Sequence, residues 1–161
     1  MIAPFLAAVA LAGSCAATPV HGEPLPQSGS LLAQLPWVQA TPSRAGIVGM
    51  LFGYDPKLET GLERPEFALW ARGVAPAGWS TKILWIIRNV HATAAITIRG
   101  SELGGRGRFR QEFRIVFDHS PERTAGRMYA SIVRIPAAGC WRLDVSSGRV
   151  RGSLVVRAVE P

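Results

Sequence analysis

Lysine is almost missing from this chain: of 18 Lys+Arg in 161 residues, only Lys57 and Lys82 are lysines. The surplus over 11 Asp+Glu, a formal net charge of +7, is therefore carried by arginine. Such a balance suits a polyanionic partner, whether nucleic acid, anionic lipid or an acidic wall polymer. A GC-rich genome would give the same arginine bias with no partner at all. Histidine is scarce too, with only His21, His91 and His119, and no pair of ligands has the spacing of a zinc site. A type-1 copper site needs His and often Met just after its Cys, and neither follows Cys140. The motifs G-x-S-x-G and H-E-x-x-H are absent, and Gly104, Gly105 and Gly107 lack the Lys-Ser/Thr of a phosphate loop. The carboxylates follow no calcium-loop pattern. Asp118-His119-Ser120 spells a triad in a row, but neighbours leaving a strand point in different directions and cannot form a nucleophile-base-orienter chain by themselves. These absences predict no metal, no cofactor and no enzyme.

Two cysteines are present, Cys15 and Cys140. Ile2 to Ala12 is an apolar run followed by Gly13, Ser14, Cys15, Ala16 and Ala17, the pattern of a signal peptide over residues 1–17. The run is too short to span a bilayer, and Lys or Arg is lacking at its start. Leu11-Ala12-Gly13-Ser14-Cys15 resembles a bacterial lipobox, which makes Cys15 the candidate lipidation site and implies a lipid anchor. Cleavage after Ala17 would instead discard Cys15 and release the protein. Either route leaves Cys140 without a partner, so no internal disulfide is expected and Cys140 is a free thiol. Both place the protein outside the cell, in the envelope.

Residues 18–43 contain Pro19, Pro24, Pro26, Pro36 and Pro42 with little periodicity and read as an extended tether. The domain proper is expected over 44–161. Strand-like runs follow at Gly46–Tyr54, Glu66–Arg72, Thr81–Asn89, Ala94–Arg99 and Arg108–Asp118, and three more lie in Met128–Val159. In the last of these Trp141, Leu143 and Val145 alternate with Cys140, Arg142 and Asp144, and Ser146-Ser147-Gly148 then supplies a turn. About eight strands, turn residues between them and no convincing amphipathic helix predict an all-β antiparallel sandwich or barrel.

The corner Pro136-Ala137-Ala138-Gly139-Cys140-Trp141 resembles the turn of immunoglobulin-like domains in which an aromatic near the start of the penultimate strand braces the chain. This favours an immunoglobulin-like β-sandwich with Pro136, Gly139 and Trp141 as the structural corner. The ending P-x-x-G-x-W-R-L (Pro136 to Leu143) and G-S-L-V-V-R-A-V (Gly152 to Val159), with Lys82-Ile83-Leu84-Trp85 upstream, resembles small bacterial envelope proteins and lipoproteins with no established activity. The likeness covers roughly the last half of the chain and implies an exported module. It transfers no catalytic residue.

Arginine supplies the candidate site. Arg108, Arg110 and Arg114 share one face of a strand, Arg106 precedes them in a loop, and Arg149 and Arg151 share the polar face of the last strand with Arg157. Such a ribbon can hold phosphate or carboxylate groups bidentately; a solvated outer face reads the same way. Trp79 in a Gly-Trp-Ser loop and Trp37 in the tether are candidates for stacking a sugar or meeting a lipid surface, whereas Trp70, Trp85 and Trp141 are expected in the core. The reading is a non-catalytic exported module binding an anionic wall polymer, a lipid headgroup or a protein partner. Its alternatives are an assembly protein pairing through an edge strand and, last, a hydrolase. Export leaves nucleic acid out of reach.

Overall fold

A computed structural model of the chain describes residues 15–26, 32–58, 65–117 and 126–161. Its strands are β1 (Val20–His21), β2 (Trp37–Gln39), β3 (Ile47–Phe52), β4 (Ala68–Trp70), β5 (Lys82–Ile87), β6 (Ala95–Glu102), β7 (Arg108–Phe117), β8 (Arg127–Ser131), β9 (Gly139–Ser147) and β10 (Val150–Val159). Helix is confined, among the described residues, to three short 3-10 turns. The chain is all-β. On β9 the residues Trp141, Leu143 and Val145 are buried while Arg142 and Asp144 are exposed, as period-two alternation requires. Ser147 pairs with Val150, which leaves Gly148-Arg149 as a two-residue loop. Gly148 sits at φ 57°, the positive value that such a turn needs at its first central position.

The ladder runs β1-β2-β3-β5-β8-β7-β6-β9-β10-β4 as one ten-stranded sheet. β7 makes it continuous: Arg108 to Arg114 pair with β6, and Ile115 and Phe117 pair with β8 across a register shift. A bulge of this kind bends a strand, so one long strand serves both halves. The expected immunoglobulin-like sandwich, two separate sheets of about eight strands, is therefore replaced by a single curled sheet. Its two edges meet where Pro19 bridges Glu66.

The described parts of the segment expected to be a tether, 18–26 and 32–43, belong to this sheet or cover it. β1 and β2 lie within 18–43 and pair antiparallel with each other, and β2 pairs with β3. Beyond its β9 partner, β10 is covered on its second side by Thr41, which exchanges hydrogen bonds of 2.9 and 2.8 Å with Ser153, and by Thr18, whose N–H donates to Val155 O at 2.9 Å. β4 completes that side in parallel pairing. An edge left open would be a template for aggregation; here proline-containing segments close it. Leu25, with Leu32 and Leu35 partly buried, also packs against Trp37, Val48, Met50, Ile86 and Met128 on the face away from the main core. β3 and β5 are thus covered on both faces, which explains why IVGMLF and KILWII are continuous apolar runs rather than alternating ones.

Between the curled halves lies the main core, with Phe67, Trp85, Tyr129 and Trp141 almost completely buried. Its polar groups are paired. Trp85 Nε1 donates to Ser131 Oγ at 2.8 Å, and Ser147 Oγ accepts from Thr93 N–H at 2.9 Å and donates to Ala95 O at 2.7 Å. At the corner, Gly139 has φ 142° and Trp141 Nε1 donates to Ala137 O at 3.1 Å, so the aromatic does brace the turn that leads into its own strand.

Both cysteine expectations need correction. Cys15 and Cys140 form a disulfide with Cα atoms 5.5 Å apart, and no described cysteine is free. Cys140 faces outward on β9, opposite Arg157 of β10, as alternation requires. Thr18, tied to Val155 of that same strand, brings the preceding residues alongside it. A sulfur in a disulfide cannot carry a thioether-linked lipid, and cleavage after Ala17 would remove half of the bond. The rest of the expected leader, residues 1–14, lies outside the described residues.

Candidate functional site

The outer face of β7-β6-β9-β10 is where the ladder gathers charge. Reading across it, Arg108 stands beside Ser101 and then Arg142. In the next row Arg110 stands beside Arg99, Asp144 and Ser153, and in the third Glu112 stands beside Thr97, Ser146 and Arg151. Arg114 follows opposite Ala95. Arg99, Arg108, Arg110, Arg114, Arg142 and Arg151 are all exposed.

The predicted ribbon is therefore assembled in part. Arg108, Arg110 and Arg114 share a face with Arg151, as expected, while Arg106 lies in the exposed loop before β7 and Arg149 in the β9–β10 turn rather than on the strand. Arg99 and Arg142, which fill the gap between the two expected groups, were missed. Each lies in a strand whose alternation marks it as outward, but only pairing of β6 with both β7 and β9 places them between the other arginines.

Few of these charges are neutralised. Arg110 lies 3.6 Å from Glu112, and Arg142 Nε lies 2.9 Å from Asp144 Oδ1, with both pairs about half exposed. Contacts of that kind are worth about 0–1 kcal/mol. Arg157 is better held, 2.8 Å from Glu66 where the sheet edges meet. Arg99 and Arg151 have no acidic partner among the described residues. Arg99 also faces Arg110 directly across the ladder, an arrangement that costs stability.

A pocket of about 370 Å³ opens on this face. Arg99, Arg142, Asp144 and Arg151 line it, and Thr41 and Pro42 form one wall. A second, larger cleft of about 750 Å³ lies where β7 and β8 part, beside Lys82, Gln111, Ile132 and Arg134. Its central amide, Gln111, is already engaged. Gln111 Nε2 donates to Arg134 O at 2.7 Å and its Oε1 accepts from Arg134 N–H at 3.1 Å, so the side chain stands in for the missing strand pair. The smaller pocket is the one that three arginines line.

The tryptophans divide differently from expectation. Trp37 is buried, its ring stacked on His21 at 4.1 Å and its Nε1 donating to Glu23 O at 2.8 Å, so it presents no ligand surface. Trp70 is only partly buried, with Nε1 3.3 Å from Asp55 Oδ2. Trp79 remains exposed in the loop before β5, away from the residues that line the arginine pocket. His91 is exposed, and its backbone N–H donates to Asn89 Oδ1 at 3.0 Å; Asp118, His119 and Ser120 lie outside the described residues. Among the described residues no group of His, Cys, Asp and Glu could hold a metal ion.

No family model matches the chain and no curated protein matches it in sequence. Among solved structures it is similar to a Bacillus anthracis protein provisionally described as a lipoprotein, at 12% identity and a TM-score of 0.40, over 86% of this chain and 87% of that one. A likeness at that level carries no conclusion about the role of this chain.

Proposed function

We propose that this protein is a non-catalytic exported module that holds an anionic envelope polymer on the arginine face of β7-β6-β9-β10. The observation that carries the reading is the pairing of Arg99 with Arg110 inside a field of exposed arginines, since a like-charge pair is unfavourable until an anion bridges it. The disulfide supports export, because such bonds persist in oxidising compartments and are rare in the cytosol. It also changes the proposed processing. The leader is cut before Cys15, which stays in the mature chain as a disulfide partner and not as a lipid anchor.

An edge-pairing assembly role is less favoured, because Thr18, Thr41 and β4 already occupy the second side of β10. The test uses the oxidised mature protein and a phosphate-rich anionic polysaccharide. Binding should weaken steeply with ionic strength, since exposed charges are screened within about 8 Å at physiological salt. It should also fall at least tenfold on joint Arg108→Ala and Arg110→Ala substitution. Retention that is indifferent to salt and to both substitutions overturns the reading.

A further inference from the structure

We propose that the pocket between β6, β9, β10 and the Thr41-Pro42 wall binds one phosphate ester group, with Arg99 and Arg151 as its two guanidinium ligands. This rests on the polymer-binding reading and narrows it to a unit of that polymer, a phosphorylated sugar or polyol.

Charge comes first. Three guanidinium groups and the single carboxylate of Asp144 line the pocket, a surplus of two positive charges that matches a phosphate monoester dianion. Asp144 lies between Arg99 and Ser153 in the ladder but bonds Arg142, its neighbour along β9. Arg99 is left with Arg110 on its other side and no direct ion pair among the described residues.

Geometry then selects the anion. Arg99 stands opposite Asp144 on β6, and Arg151 stands opposite Ser146 on β10. Strand spacing and rise put their Cα atoms roughly 12 Å apart on either side of β9, close enough for two arginine side chains to converge above it. A planar carboxylate is satisfied by one guanidinium fork, whereas a tetrahedral phosphate presents oxygens to both. Ser146 and Ser153 also line the pocket and add hydroxyl groups for the ester's own hydroxyls. The volume of about 370 Å³ is at the small end of ligand pockets and suits one such unit.

The wall is preformed. Two backbone hydrogen bonds fix Thr41 on Ser153, and Gly152 allows the approach, since a Cβ there would lie 2.9 Å from Ala40 Cβ and 3.2 Å from Ile47 Cδ1. A rigid wall lowers the ordering cost of binding.

The experiment is calorimetric titration of the oxidised full mature protein at constant ionic strength with glycerol phosphate, inorganic phosphate and glucuronate. Glycerol phosphate should bind saturably and more tightly than glucuronate, with inorganic phosphate between them. Arg99→Ala and Arg151→Ala should each weaken it at least tenfold, and Arg99→Lys should recover only part of that. Asp144→Asn should tighten it severalfold. No saturable binding of either phosphate, or equal binding of glucuronate, overturns the assignment. Polymer binding that is lost in the Arg108/Arg110 variant but unaffected by Arg99→Ala also overturns it and leaves the broader reading standing. Saturable glycerol phosphate binding without any polymer binding has the opposite meaning: the pocket holds and the polymer reading fails.

Discussion

The disulfide gives the sharpest test of how this chain is built and processed. It closes a loop across a sequence separation of 125 residues. Constraining a denatured chain over that distance is worth about 5 kcal/mol in the chain-entropy relation, and measured losses on removing a native disulfide run about 2–5 kcal/mol. For a domain of this size each kcal/mol moves the melting temperature by about 2–4 °C. Oxidised protein should therefore melt roughly 4–20 °C above Cys15→Ser. Because the two sulfurs act as one unit, Cys140→Ser and the double variant should match Cys15→Ser rather than add to it. Reductant should lower the melting temperature of the parent to the same level and leave the variants unmoved. The assay is a thermal melt followed by circular dichroism, paired with thiol labelling and intact mass of protein purified from its native compartment. Two labelled thiols in the unreduced protein, lipid on Cys15, or a melting temperature for Cys15→Ser that equals the parent's would refute the reasoning.

Three further outcomes follow from the core and the surface. Gly100→Ala places a Cβ 2.0 Å from Phe109 Cε1, so the ring has to leave Gly100 and its 5.7 Å contact with Trp141. A loss of about 1–3 kcal/mol is expected in denaturant melts, and an unchanged midpoint contradicts it. Ser131→Ala orphans the Trp85 indole N–H inside the core and should cost about 1–3 kcal/mol, with Trp85→Phe in the Ser131→Ala background costing less than the two separate losses combined. Glu23 titrates below its ordinary value of 4.5 because its own backbone N–H, and then His21, donate to the carboxylate. A carboxyl depressed in the folded state stabilises the fold above its unfolded pKa, and that contribution is lost as pH falls through the folded pKa. Nuclear magnetic resonance titration should find its midpoint on the acid side of a free glutamate, and Glu23→Gln should abolish the accompanying perturbation of Trp37.

Alternation settled much of this protein before any contact was known. The buried-exposed pattern of Trp141 to Val145, the turn at Gly148 and the outward set Arg108, Arg110 and Arg114 are all local, because a strand's side chains take opposite faces by a period of two. The all-β class follows from the same signal. Other features rest on pairing between distant segments, and no window of sequence contains them. Residues 18–26 and 32–43 lack periodicity because they form two very short strands and covering segments, with proline tolerated where they seal an edge, so their composition looks like a linker. Cys15 and Cys140 meet only because Thr18 is held against β10, while β9 lies beside that strand. Arg99 sits between Arg110 and Asp144 only because β6 pairs with both β7 and β9, and that one crossover in strand order turns two ribbons of arginine into a pocket.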